Sequence, residues 1–355
     1  MKIVFLMGAF SFGGAERVLC TLSNQFAEDG NDVYVVTLSH AEPTYLLSSS
    51  IHVINGLGWK NYFDGILKLR RAILKIAPDV VVSFLVQVNI AACMALVGTR
   101  IPLIVSERND PKHMPPEKIR KILRRIFYTR ANGYVFQTKE AAEYFSKAIQ
   151  KKSTIIANPL LLNNDPREFD AGNHKMISVG RYVPQKNQAL LIEAFVKATE
   201  CTGNWELELF GEGDLWDTLQ EQIHKLGADD RIRLHEPSNN LLSVLKTKAV
   251  FVLSSNFEGM PNALMEAMGV GLACISTDCP CGGPRYLIDD GLNGLLVPVG
   301  DVLEMSKSMK LLMEDSELRE KLSREAVYIR NKLSTENINA QWKEYILKIM
   351  PGAGE

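Results

Sequence analysis

Neither sign of charge is in excess. The 40 basic and 41 acidic residues leave a formal net charge of -1, so no overall field points to nucleic acid, and attraction to an anionic surface has to come from a local cluster. Paired C-x2-C spacing is missing as well. The six cysteines, at 20, 93, 201, 274, 279 and 281, fall mostly inside apolar runs, which excludes a zinc-ribbon type of site and fits a reducing, cytoplasmic compartment. Only Cys279-Pro280-Cys281 brings two thiols close, and it reads as a reduced loop. The apolar start, 3–12 behind Lys2, lacks a small-x-small cleavage site and is expected to be a buried first strand. The uncharged stretch 80–98 approaches the length of a membrane span, but Gln87 and Asn89 interrupt it and β-branched residues crowd its first part; a buried strand, a turn and a buried helix fit better.

What is present is a chain of 355 residues, 46% hydrophobic, long enough for two cores. Continuous apolar runs, rather than alternating ones, mark strands covered on both faces, as a parallel sheet requires. In the first half such runs lie at 3–7, 33–38, 80–84, 103–106 and 133–136, with helical segments such as 15–28 and 63–76 between them. After a polar stretch at 159–172, rich in Pro, Asn and Asp, the pattern resumes with strands at 176–179, 206–210, 232–234, 250–253 and 273–276 and helices at 189–198, 215–226 and 262–268. The expectation is an α/β chain of two Rossmann-like domains, 1–158 and 173–335, joined by a linker at 159–172. Ile338, Trp342, Tyr345, Ile346 and Ile349 form the stripe of an amphipathic last helix at about 336–350 that needs a surface to cover, in this chain or in a second copy.

The second half carries the sharper chemistry. Ser178-Val179-Gly180-Arg181 through Lys186-Asn187 is a strand that ends in a glycine turn bearing two cations and then opens a helix. Open α/β sheets bind ligands at such strand ends. Arg181 can grip two oxygens of a diphosphate through its planar fork and Lys186 can add a mobile charge; taken alone, a solvated loop with two cations reads the same. The run 254–266 adds a loop in which Gly259 permits close backbone approach, Met260 follows, and Pro261 and Asn262 open a helix whose N–H groups make an anion seat. Glu258 before that helix and Glu266 in its second turn are spaced so that one carboxylate reaches a sugar and the other a ribose. Each acid by itself reads rather as an ordinary loop or surface residue; it is the combination with the loop around Arg181 that points to a site.

In the first half, Gly8 to Glu16 is a glycine-rich strand-to-helix turn without the G-x-G-x-x-G spacing, and the second strand ends in Thr37-Leu38-Ser39 without the acid that grips an adenine ribose; this disfavours a dehydrogenase. Gly13 and Gly14 give room for donor phosphate or acceptor. Glu107 and Arg108, after a buried strand, are expected to line a cleft or to form a structural ion pair. Between Glu117 and Arg130, the cations Lys118, Arg120, Lys121, Arg124, Arg125 and Arg130 interleave with Ile119, Ile122, Leu123, Ile126 and Phe127. Arg120, Lys121, Arg124 and Arg125 suit an anionic membrane or an acceptor's diphosphate; a solvated face over a core stripe is the alternative.

Gly13-Gly14-Ala15-Glu16, Val179-Gly180-Arg181 with Lys186-Asn187, Gly211-Glu212-Gly213 and Glu258-x7-Glu266 together resemble the retaining GT-B glycosyltransferases of family four, in order and spacing over nearly the whole chain. The resemblance implies two Rossmann-like domains facing across a cleft, with the last helix packed back on the first domain. It also implies that Arg181 and Lys186 hold the donor diphosphate, that Glu258 contacts the sugar and that Glu266 holds the ribose. No metal is implied, and no Asp-x-Asp pair is present to hold one. Relatives often place a histidine near the acceptor; here Arg108 and Gln87 stand in that region and His113 lies farther along. In a front-face mechanism the departing phosphate takes the acceptor proton itself. The loop 276–285 resembles that of transferases using galactose-type or N-acetylhexosamine donors.

The expected activity is therefore transfer of a hexose or N-acetylhexosamine from a nucleotide sugar, UDP-linked, to a polyprenyl-diphosphate-linked or surface glycan, with no separate cofactor. Association with the inner face of a membrane follows from the basic helix. A sugar-nucleotide epimerase of the same fold and a non-catalytic nucleotide-sugar-binding module are the rival readings.

Overall fold

The computed structural model describes residues 1–10, 14–43, 45–59, 61–162, 165–200 and 204–350. It divides into two compact units, Met1–Pro159 with Thr335–Glu355, and Leu160–Ser334.

In the first unit seven strands form one parallel sheet: β1 (Lys2–Met7), β2 (Asp32–Thr37), β3 (His52–Ile54), β4 (Val80–Phe84), β5 (Leu103–Ser106), β6 (Gly133–Phe136) and β7 (Ser153–Ile155), in the order β3-β2-β1-β4-β5-β6-β7. The chain runs outward from β1 to one edge, then returns to lay β4 on its other side, so the strand order reverses between β1 and β4. The short outer strands β3 and β7 carry no extended apolar run, since β3 is largely solvent-facing, and this is why the hydrophobic pattern alone does not reveal them.

The uncharged stretch resolves into β4 and the helix Val86–Ala95, both inside the unit. Asn89 is not a misplaced polar residue. Its amide accepts from Ser83 Oγ at 2.7 Å and donates to the Ser106 carbonyl and the Tyr128 hydroxyl, each at 3.0 Å, so its buried groups are satisfied. Among the described residues no helix is long and apolar enough to cross a membrane.

The last helix, Thr335–Ile349, belongs to this first unit. Ile338, Trp342, Tyr345 and Ile346 are buried, and the Tyr345 hydroxyl accepts from Tyr134 N at 2.8 Å. Gly133 opens β6 because a Cβ there would stand 2.8 Å from that hydroxyl and 3.0 Å from Ile349. The stripe thus covers the unit's own sheet.

The second unit repeats the plan with β8 (Lys175–Val179), β9 (Glu206–Phe210), β10 (Ile232–His235), β11 (Val250–Leu253), β12 (Ala273–Thr277) and β13 (Leu295–Val297), all parallel, in the order β10-β9-β8-β11-β12-β13. Here the order reverses between β8 and β11. Residues 160–172, expected as a linker, are part of this unit. Leu160 N donates to Leu333 O at 2.8 Å, Arg167 N donates to Val270 O at 2.9 Å, and Gly269 has no room for a Cβ beneath Leu160 and Leu162. The polar, turn-rich composition signals the absence of helix and strand, but the backbone there still finds partners on the unit it precedes; Asn163 and Asn164 lie outside the described residues.

Candidate functional site

The point where strand order reverses leaves a crevice at the carboxyl ends of the two central strands, because the loops that follow them turn to opposite faces of the sheet. In the second unit those loops follow β8 and β11, and they carry Arg181 and Lys186 on one side and Glu258 on the other.

Close packing of backbone on backbone fixes the first loop. Gly211 faces Gly180, where a Cβ would lie 2.1 Å from the Gly180 carbonyl oxygen, and Gly213, at φ +145°, would place one 2.5 Å from Tyr182 O. Tyr182 N donates to Glu212 O at 2.7 Å, and its buried hydroxyl donates to Leu209 O at 2.7 Å. The two loops are then stitched together. Asn256 N donates to Gln185 O at 2.8 Å, Gln185 Nε2 to Phe257 O at 2.9 Å, Ser254 Oγ to Lys186 O at 2.9 Å and Asn187 Nδ2 to Asn256 Oδ1 at 3.1 Å.

This lattice brings Lys186 Nζ to 2.5 Å from Glu258 Oε1, with the side chains only 18% and 9% exposed. Ser255 Oγ donates to the same carboxylate oxygen at 2.6 Å. The lysine and glutamate that the family resemblance assigned to phosphate and to sugar are thus one ion pair, and an anion entering the crevice would compete with Glu258 for the ammonium. Arg181, on the same turn as Lys186, is exposed and its guanidinium engages no other described residue.

The helix after this loop is Asn262–Val270, with buried Glu266 in its second turn. Pro261 stands one residue before the helix, with an extended backbone, rather than inside the first turn. Gly259, Met260 and Pro261 are all buried, held from behind by the loop after β12. Gly283 lies so close that a Cβ would stand 1.7 Å from Gly259 O, and Cys279 Sγ and Thr277 Oγ1 both donate to Ser255 O. Cys279 and Cys281 are buried and form no disulfide among the described residues, and burial pushes Cys279 up to about 12. Alanine at Gly283 is expected to cost about 1–3 kcal/mol, as overpacking does, and to displace the Glu258 loop. A thermal melt and a UDP titration, both unchanged, would refute that packing.

Among the described residues of the first unit, those singled out from sequence do not form one site. Gly13 lies outside the described residues, and Gly14 is the first residue of the helix Gly14–Glu28. Glu107 and Arg108 are both buried and do not pair with each other. Glu107 accepts from the Tyr128 hydroxyl and stands 3.9 Å from Arg124; burial raises its pKa against the pull of Arg124 and Tyr128. Its expected place lining a cleft is therefore corrected: the carboxylate is turned into the unit. Arg108 donates to Asn158 Oδ1 at 2.8 Å and lies against the adjoining rings of Phe84 and Trp342, at 5.1 and 5.4 Å. Burial, with no carboxylate beside it, disfavours its charge.

The basic helix, Lys118–Phe127, is the largest correction. Arg124, expected to face a membrane or a diphosphate, is 2% exposed; it donates to Met114 O at 2.8 Å and Pro111 O at 2.7 Å and lies over Tyr144 and Phe145. The isoleucines of the apolar row turn outward instead, with Ile119 62%, Ile122 53% and Ile126 56% exposed, while Leu123 and Phe127 are half-buried. Arg120 pairs with Glu117 at 3.0 Å, Lys121 donates to Lys112 O at 2.8 Å, and Arg125 is exposed. Two loop carbonyls, two aromatic rings and the nearby Glu107 carboxylate compensate one buried guanidinium, which frees the isoleucine face.

Two further features escape sequence reasoning. His113 Nδ1 meets Asp110 Oδ2 at 2.7 Å, so Asp110 sets that ring's orientation. A cavity at the carboxyl edge of the first sheet is lined by Trp59 and Tyr62, which belong to no spaced motif and gave no signal.

Comparison with known proteins bears on both units. The family described as Glycosyl transferases group 1 matches residues 163–327, and Glycosyltransferase Family 4 matches residues 12–162. An α-1,4-N-acetyl-D-galactosaminyltransferase of Campylobacter jejuni, named for a GalNAc-containing diNAcBac-PP-undecaprenol acceptor, is 26% identical over 98% of this chain and 99% of its own length. The amylovoran biosynthesis glycosyltransferase AmsD of Erwinia amylovora is 24% identical over 81% of this chain and 84% of its own. HepE of Anabaena, solved in complex with UDP-glucose, shares the GT-B fold with a TM-score of 0.82 at 18% identity, over 98% of this chain and 100% of that one.

Proposed function

Because this chain belongs to the group 1, family 4 glycosyltransferases, we propose that it moves a hexose or N-acetylhexosamine from a UDP-sugar to a growing polyprenyl-diphosphate-linked or surface glycan, with retention of anomeric configuration. The observation that carries this reading is the largely buried Lys186–Glu258 pair at the β8/β11 crevice, beside the exposed Arg181 and ahead of the helix Asn262–Val270. A donor diphosphate there draws Lys186 and Arg181 onto its oxygens and releases Glu258 toward the sugar, while Glu266 takes the ribose. The bond from the anomeric carbon to the diphosphate breaks as the bond to the acceptor oxygen forms. The acceptor's proton passes to a diphosphate oxygen, and the two cations stabilise the charge that grows on the leaving group. Metal plays no part in this scheme.

The test is incubation of purified protein with labelled UDP-sugars, with and without a polyprenyl-diphosphate glycan and with EDTA. Transfer only in the presence of acceptor, undiminished by EDTA, with the new anomeric centre matching the donor's, is expected. Sugar interconversion without acceptor would make the protein an epimerase. UDP-sugar binding that persists in Lys186→Ala and Glu258→Ala, with no turnover by the parent, would make it a binding module.

We propose further that the Lys118–Phe127 helix seats the enzyme on the inner leaflet, using Ile119, Ile122 and Ile126 with Arg120, Lys121 and Arg125; the acceptor's diphosphate is the other anion within reach of these cations. Removing each of the three cations is expected to weaken binding to phosphatidylserine vesicles roughly fivefold, at about 1 kcal/mol per charge. Arg124→Gln instead destabilises the fold. Sedimentation in which the triple glutamine variant binds vesicles like the parent counts against this seat.

A further inference from the structure

The amino edge of the second sheet, opposite the β8/β11 crevice, carries a hollow of about 490 Å³, inside the roughly 300–1,000 Å³ span of small-molecule sites. All its lining residues belong to the second unit. The helices Ser316–Ala326 and Ile329–Lys332 contribute to one side, and Pro166, Arg167 and Phe169 to the other. Gly271, between the helix Asn262–Val270 and β12, lies where the two sides meet. A Cβ on it would stand 3.3 Å from Val327 and 3.7 Å from Pro166, and its φ of +91° suits glycine.

Cations gather here without matching acids. Arg167, Arg324 and Arg330 line the hollow, and the buried Arg319 lies 5.8 Å from the Phe169 ring, which Arg167 also covers at 6.0 Å. Burial holds the pKa of Arg167 below the ordinary arginine value, and the charge of Arg319 adds to this against the pull of Asp170. Burial lowers Arg319 and Arg330 in the same way. Arg167 donates only to carbonyls, Gly271 O at 3.1 Å, Glu168 O at 3.3 Å and Ala249 O at 3.5 Å, all longer than the usual spacing of about 2.9–3.0 Å. Arg319 donates to Leu312 O at 2.6 Å and Ala171 O at 2.7 Å, and its Nε is buried with no partner among the described residues. The nearby acids Asp165, Asp170 and Glu320 are exposed, where water screens them, and Glu325 stands 3.6 Å from Arg324.

Crowded cations that have lost water and gained only long carbonyl contacts are stabilised by an anion. Planar guanidinium forks suit the oxygens of a phosphate. The remaining wall is apolar, with Phe169, Val327 and the Tyr328 residue, which is 65% exposed, so a flat organic body can accompany the phosphate.

We propose that this hollow binds a phosphate monoester of a small ring compound, a sugar phosphate or a nucleoside monophosphate, with its phosphate on Arg167, Arg324 and Arg330 and its ring against Tyr328. The hollow and the β8/β11 crevice lie at opposite edges of one sheet, so the ester and a nucleotide in the crevice bind together. An occupant of the hollow therefore acts beside the donor and not in its place. None of these residues takes part in the transferase reading.

The experiment is calorimetric titration of the full chain with glucose 1-phosphate, AMP and inorganic phosphate, each with and without saturating UDP. At least one ester is expected to bind equally well in the presence of UDP, and which one binds identifies the ring. Inorganic phosphate binds roughly tenfold more weakly for want of the ring contact. Arg324→Gln, at an exposed position, weakens the ester about fivefold, the upper range for an exposed ion pair. Tyr328→Ala weakens the ester and leaves inorganic phosphate unchanged. Binding of neither ester, displacement of the ester by UDP, an ester no tighter than inorganic phosphate, or indifference to both substitutions overturns the proposal. Ester binding with no UDP binding would instead sink the donor assignment and leave this hollow standing.

Discussion

With Lys186→Ala, turnover is expected to fall about 10²–10³-fold, the range seen when one preorganised donor to developing negative charge is removed. The lysine stands in a crevice where its side chain is 18% exposed, so its charge is weakly screened, and in the proposed reaction the diphosphate oxygens it would meet gain charge as the glycosidic bond breaks. Its loss also strands Glu258, leaving Ser255 Oγ as the hydrogen-bond partner at 2.6 Å. A cycle of Lys186→Ala, Glu258→Ala and the double variant separates the two effects. If the pair acts as one unit, the double variant is little slower than either single one. Steady-state rates on a UDP-sugar and acceptor provide the measurement, with a thermal melt of each variant to exclude unfolding. A Lys186→Ala rate within about threefold of the parent would remove the lysine from the chemistry.

Removal of the Trp342 side chain is expected to cost about 3–5 kcal/mol, as for other buried tryptophans. Trp342 is fully buried, with its ring 5.8 Å from Phe84 and 5.4 Å from the Arg108 guanidinium. Truncation opens a cavity and leaves a buried cation without one of its two aromatic faces. Because Trp342, Phe84 and Arg108 all belong to the first unit, the loss should appear in that unit's unfolding transition, while the UDP binding proposed for the second unit should be retained. Chemical denaturation followed by hydrogen exchange resolves the two. A Trp342→Ala loss below about 1 kcal/mol would mean that the last helix is only loosely docked.

Both cores were legible because their signal is local. A parallel strand covered on two faces must be apolar at every position, and runs such as Val80–Phe84 and Val250–Leu253 have few other soluble homes. The β8 and β11 loops were legible for a related reason. Gly180, Gly211, Gly259 and Gly283 stand where backbone meets backbone, and Lys186 and Glu258 sit at fixed distances from those glycines along the chain. The direct contact between that lysine and that glutamate was not legible, because the two are 72 residues apart and only the reversal of strand order makes them neighbours. The cavity walled by Trp59 and Tyr62 was hidden for the same reason.

The Lys118–Phe127 helix marks the boundary most sharply. Its sequence fixes an amphipathic helix with cations and isoleucines on separate faces, and nothing in its ten residues says which face is inside. That choice is made by the carbonyls of Pro111 and Met114 and by the rings of Tyr144 and Phe145, which give Arg124 a buried home. The sequence by itself determined the apolar inner strands, the helices between them and the glycine turns at the sheet edges, since each follows from the chain's nearest neighbours, whereas the short outer strands β3 and β7 left no such signal. Only the tertiary structure decided which charges are buried, which apolar face is exposed and which side chains meet, because a charge is stable inside only if partners from distant segments replace the water it loses.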